Sequence, residues 1–80
     1  MTSLTLFRAP AQRIRNRIGA RAVTVVFLED DNDPEAISIM AEFKTPKGTR
    51  LYGHVERLPL RDDWMNRTIQ NLLRERERAL

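Results

Sequence analysis

From Ala22 to Glu29 the chain is apolar at almost every position. In an extended chain Val23, Val25 and Phe27 point one way, and Thr24, Val26 and Leu28 the other. A strand apolar on both faces is expected to be central and covered on two sides. Ile37 to Lys44 alternates more cleanly, with Ile37, Ile39, Ala41 and Phe43 on an inward face and Ser38, Met40, Glu42 and Lys44 outward. Thr45-Pro46-Lys47-Gly48 reads as a turn, in which Pro46 supplies a fixed φ and Gly48 a permissive one. Thr49 to Arg57 predicts a third strand, with Leu51 and Val55 on one face and Tyr52 and His54 on the other. Gly53 interrupts it, as a bulge or a close backbone approach does.

Elsewhere the period changes. Between Pro10 and Ile18 two readings compete. As a helix, Pro10 sits in the first turn, Gly19 lies just past the end, and Ala11, Ile14 and Ile18 share a face. As a strand, Arg13, Arg15 and Arg17 share one face and Ile14, Asn16 and Ile18 the other. The Pro–Gly punctuation favours the helix. Leu4 to Phe7 alternates weakly and suggests a short strand. Beyond Pro59, Asp62 or Asp63 suits the N-terminus of a final helix that starts near Trp64 and carries Met65, Ile69, Leu72 and Leu73 as its apolar stripe. Arg76 falls inside that stripe. The helix outruns the core there, the simpler reading, or lays the arginine stem on the sheet, or projects its last turn as a partner-facing handle.

The fold class is therefore α+β: a three-stranded antiparallel meander (about 22–29, 36–44 and 49–57), a C-terminal helix packed on one face, and a short N-terminal helix or strand covering the other face or extending an edge. No repeat, linker or low-complexity tract divides residues 1–80, which read as one small domain with an arginine-rich segment at 8–21.

Composition sharpens this picture. Hydrophobic residues make up 41% and charged residues 31%, a globular balance. The chain has no cysteine, so neither a disulfide nor a thiolate metal site is available. A domain of this size buries only roughly 60% of its unfolded surface. Its core must rest on apolar packing or on a second subunit, and the two-faced first strand makes a homodimer a candidate. The apolar runs are too short for a bilayer and the start lacks a secretory pattern, so cytoplasmic residence without membrane contact is expected.

Charge is segregated. Arg8, Arg13, Arg15, Arg17 and Arg21 form a run with no acid among them, and Glu29, Asp30, Asp31, Asp33 and Glu35 form a run with no base. Solvated surfaces usually mix their signs, so opposed blocks point to binding rather than chemistry, or to pairing with each other. Arg67, Arg74 and Arg78 make a second strip on the final helix, which also fits a plain solvated face, and Lys44, Lys47 and Arg50 make a secondary patch at the turn. Twelve of the fourteen basic residues are arginines, whose planar fork suits phosphate and carboxylate.

Catalytic chemistry finds little footing. His54 is the lone histidine, and no set of metal ligands surrounds it by spacing. Read as a calcium loop from Asp31, the acidic segment has Ala36 where glycine is required and places Glu42 within a strand. No Gly-x-Ser-x-Gly, phosphate-binding glycine loop or dinucleotide fingerprint occurs, and Asp62 with Asp63 reads as helix-capping acids. No enzyme activity, cofactor or metal is expected. The first functional reading is a small non-enzymatic regulator that binds a protein partner, an inhibitor or adaptor of the kind phages and mobile elements encode. The alternative is an RNA- or DNA-binding module using the arginine segment. A third is a small self-assembling structural subunit. A net charge of only +3 and the shortage of stacking aromatics place nucleic acid second.

Overall fold

The computed structural model describes residues 7–78. In chain order the elements are α1 (Arg8–Ile18), β1 (Ala22–Glu29), β2 (Ala36–Thr45), β3 (Gly48–Arg57) and α2 (Trp64–Arg78). The strands form an open antiparallel sheet in the order β1-β2-β3. The fold is α+β, and the ambiguous N-terminal segment is helical. Gly19 adopts a φ of 100°, and its N–H donates to the Arg15 carbonyl at 2.9 Å, closing α1. Arg15 and Arg17 lie in the last turn, where the helix dipole favours cations. The short strand expected at 4–7 falls, for 4–6, outside the described residues, and Phe7 is the N-cap of α1.

The register assigns each sheet face. Phe27 pairs with Ile39 and Ile39 with His54; Val25 pairs with Ala41 and Ala41 with Tyr52. Directly opposed residues share a face. Val25, Phe27, Ile37, Ile39, Ala41, Phe43, Tyr52, His54 and Glu56 therefore look one way, and Thr24, Val26, Leu28, Ser38, Met40, Glu42, Leu51, Gly53 and Val55 the other. Both helices pack on the first face. Ala11 and Ile14 of α1 and Ile69 and Leu72 of α2 join Val25, Phe27, Ile37, Ile39, Ala41 and Phe43 in one buried cluster. Phe27 anchors it, stacked on Phe7 at 4.8 Å and met edge-on by Trp64 at 5.8 Å. Each fully buried phenylalanine contributes about 1.5–3 kcal/mol of transfer free energy.

Two expectations are corrected, and the two readings of Gly53 are resolved. β1 is an edge strand rather than the central one; two apolar faces did not make it central because α1 supplies one cover and the other face stays half-buried. The N-terminal segment lies on the same face as α2 instead of the opposite one, since the apolar stripe of α1 is completed by Phe27 and the α2 stripe. The irregularity in the sheet sits in β1, between Ala22 and Thr24, not at Gly53. Gly53 is the close approach: a Cβ there would stand 2.8 Å from Met40 Sδ, which crosses the strand at that point.

Arg76 does not overrun the core. Its guanidinium lies over the Phe43 ring, 5.7 Å from the centroid, with the stem along the sheet and its Nε buried without a partner. At the start of α2 neither aspartate side chain makes a capping hydrogen bond among the described residues. Asp63 takes a φ of 65°, its carbonyl accepts the Arg67 N–H at 3.0 Å, and the Asp62 carbonyl accepts from the Arg67 guanidinium at 3.0 Å.

Candidate interaction surface

The acidic block and the C-terminal part of the arginine block, Arg15 to Arg21, come to rest at opposite ends of the sheet, whereas Arg8 follows Phe7, which lines a hollow with Glu29, Asp30 and Asp31. Ala22 pairs with Phe43, Phe43 with Arg50, and the Lys44 N–H donates to the Arg21 carbonyl at 3.0 Å. Arg21, Lys44, Lys47, Arg50 and Arg76 thus gather at one end, joined by Arg15 and Arg17 from the last turn of α1. Pairing of Glu29 with Ile37 fixes the other end, where the Asp30–Glu35 loop turns the chain. That loop is shaped by its own side chains: Asp30 Oδ1 accepts the Asn32 N–H and Asp33 Oδ1 the Glu35 N–H, each at 2.9 Å. The molecule is therefore polar along its strands, in a body of 35 × 24 × 22 Å.

Pairing between the two blocks within one molecule is not what forms. Arg57 of β3 takes the acidic loop, 3.5 Å from Asp33 and 3.6 Å from Glu35, and the described ion pairs include none of Arg8, Arg13, Arg15, Arg17 or Arg21. With Arg57 largely exposed, each of these pairs contributes at most about 1 kcal/mol. The arginine run is also divided. At 100° per residue Arg8 and Arg15 occupy one flank of α1 and Arg13 and Arg17 the other. Arg8 and Arg15 line a groove of about 320 Å³ along the outer edge of β1, where Arg15 Nε donates to the Val23 carbonyl at 3.3 Å.

The α2 strip is not a uniform solvated face. Arg74 and Arg78 are exposed, Arg78 standing 3.5 Å from Glu75, but Arg67 reaches inward to Glu56 Oε1 at 2.9 Å. Glu56 is buried, and its other carboxylate oxygen meets His54 Nε2 at 2.5 Å. The Asn71 side-chain amide lies 3.0 Å from His54 Nδ1, within hydrogen-bond reach. Burial alone would push the Glu56 carboxyl up, but hydrogen bonds from Arg67 and His54, with their charges, outweigh it and hold the carboxyl below its ordinary value. Both ring nitrogens are engaged, so this arrangement works as a lock between β3 and α2. The sequence signal was present, since Glu56 and His54 share a strand face and Arg67 and Asn71 are four apart on a helix. Only the packing of α2 on β3 joined the two pairs.

The sheet face that no described helix covers was not singled out by the sequence. It carries Val26, Leu28 and Met40, half-buried, beside Leu51, 63% exposed, and Val55, 54% exposed; Leu58, 42% exposed, follows the end of β3. No described segment lies across it. Lys44 and Lys47 border one end of this apolar strip and the acidic loop borders the other. No helix among the described residues is long and apolar enough to cross a membrane. No family model matches the chain, and neither a curated protein nor a solved structure matches it.

Proposed function

We propose that this chain is a small non-enzymatic regulatory protein that acts by binding a protein partner through the open face of its sheet. The observation that carries the reading is the pair Leu51 and Val55, held exposed on a regular strand beside Val26, Leu28 and Met40. Contiguous apolar surface on a sheet is costly to leave in water and marks an interaction site. Charged groups of opposite sign at the two ends of the strip would fix a partner's orientation and speed its capture. The partner it fits presents an apolar centre with acidic groups toward Lys44 and Lys47 and basic groups toward the acidic loop. An inhibitor or adaptor role suits a small rigid face of this kind. Leu51→Ser with Val55→Ser is expected to leave the fold intact by circular dichroism and to abolish capture of the partner isolated with the native protein. Full capture by the folded double variant would refute the reading.

A second reading is favoured by one observation, the gathering of Arg21, Lys44, Lys47 and Arg50 at one end of the sheet. That end offers phosphate contacts to RNA or DNA. Fluorescence anisotropy against duplex DNA, single-stranded DNA and RNA at two salt concentrations separates the two. Binding that collapses with salt supports nucleic acid; absence of binding at low salt removes it.

A further inference from the structure

Among the described residues β1 is an edge strand interrupted only by the irregularity between Ala22 and Thr24. Natural sheets blunt their edges with charge, proline or short strands. Between Ala22 and Leu28, β1 carries no charged residue and no proline, and it runs for eight residues. Among the described residues no strand pairs with its outer side, and its one edge contact is Arg15 Nε on the Val23 carbonyl. A groove of about 320 Å³ lies beside it under the flank of α1. The charge at its two ends is opposite: Arg21 precedes it, and Glu29, Asp30 and Asp31 close it.

We propose that β1 pairs antiparallel with β1 of a second copy of this chain, about a two-fold axis normal to the sheet, giving a continuous six-stranded sheet. Such an axis keeps each face on its own side, so opposed residues must share a face and the axis passes at Val25 or at Val26. Allowing for the extra residue between Ala22 and Thr24, Arg21 lies opposite Leu28 of the second copy in the first register, next to Glu29, and opposite Asp30 in the second. Either way the basic end of each protomer meets the acidic end of the other, twice per dimer. Arg8 of the second copy approaches the same end as Arg15, and the three acids from Glu29 to Asp31 outnumber it. All four helices then cover one side of the sheet. The open apolar faces join on the other side and double the binding strip, which the β1 contact itself leaves free.

The pairing makes a charge-swap test possible. Arg21, Glu29 and Asp31 are exposed, so their substitution spares the core. Sedimentation velocity of the native chain across a concentration series is expected to show a dimer. Arg21→Glu alone, and Glu29→Arg with Asp31→Arg alone, are each expected to weaken it by roughly tenfold or more, since like charges then meet at both ends. An equimolar mixture of the two variants restores attraction at both ends and is expected to form heterodimers where each variant alone is monomeric. A native monomer at all concentrations overturns the proposal. So does a native dimer whose charge-swapped variants fail to associate on mixing. Dispersal of the dimer by Leu51→Ser with Val55→Ser would place the contact on the open face instead and overturn the edge geometry, whereas loss of partner capture with the dimer intact bears only on the function proposed above.

Discussion

The two faces of the sheet share the same three strands and follow opposite rules. On the helix-covered face β2 contributes Ile37, Ile39, Ala41 and Phe43, all buried, yet β3 contributes Tyr52, His54 and Glu56. On the open face β2 contributes Ser38, Met40 and Glu42, yet β3 contributes Leu51 and Val55, the most exposed large apolar side chains described. On β3 His54 and Glu56 are turned in, and Leu51 and Val55 out. The inward polar groups are tolerated because each finds a partner: Glu56 takes Arg67 and His54, and His54 takes Asn71. A buried polar group costs free energy chiefly when it is left unpaired. Among the described residues the outward Leu51 and Val55 have no comparable compensation, and the proposed binding role of their face rests on that asymmetry.

The contrast can be broken most sharply in the core. Phe43→Ala, at a position with no exposure, is expected to cost about 3–5 kcal/mol. In a domain of this size that leaves the chain largely unfolded in a urea titration, and a loss comparable to that of a surface change would mean that the covered face is not the core. Next comes the polar lock. Glu56→Ala strands His54 and Arg67 and is expected to cost about 1–3 kcal/mol. A double-mutant cycle with Arg67→Ala should show coupling, and strict additivity would argue that the ion pair does not form.

The same lock has a pH signature. The folded pKa of Glu56 lies below its ordinary 4.5, so the group binds protons more readily in the unfolded chain. Its contribution is fully present above about 4.5 and is lost as pH falls through the lower folded value. Denaturation midpoints between pH 5 and pH 2 should therefore decline, and Glu56→Gln should flatten that decline. An unchanged acid limb in the variant would remove Glu56 from its cause.

Gly53→Ala is a smaller perturbation on the open face. The new Cβ meets Met40 Sδ, but a thioether on rotatable bonds can swing away, so the cost should stay below about 1 kcal/mol. Thermal melts check this, and a cost of several kcal/mol would mean that Met40 is pinned by the sheet. Smallest of all, Leu51→Ser should change stability by no more than about 0.5 kcal/mol while weakening partner capture. A large stability loss would show that Leu51 is covered in solution, and would point to an oligomer through that face.

Several elements were legible because their signals are local. The alternation of Ile37, Ile39, Ala41 and Phe43 identified β2 and its inward side. Pro46 and Gly48 marked the hairpin, and Pro10 with Gly19 bracketed α1. The segregated charges were visible as sequence blocks, since composition needs no fold to be read. Other readings failed where the outcome depended on a distant segment. The two apolar faces of β1 could not say which helix would cover one of them. Arg67 read as solvated because its partner stands on β3, eleven residues away. Arg76 read as an overrun because the ring beneath it belongs to Phe43.

The sequence by itself determined the α+β elements, their approximate ends and the presence of two opposed charge blocks, because backbone propensity, side-chain period and turn chemistry act over a few residues. Tertiary structure alone decided that both helices share one face and that Leu51 and Val55 are left outside while His54 and Glu56 are satisfied within. It also set Arg15, Arg17 and Arg21 at the end of the strands opposite the acidic loop. Those outcomes depend on strand register and helix docking, which are fixed by the joint packing of residues far apart in the chain.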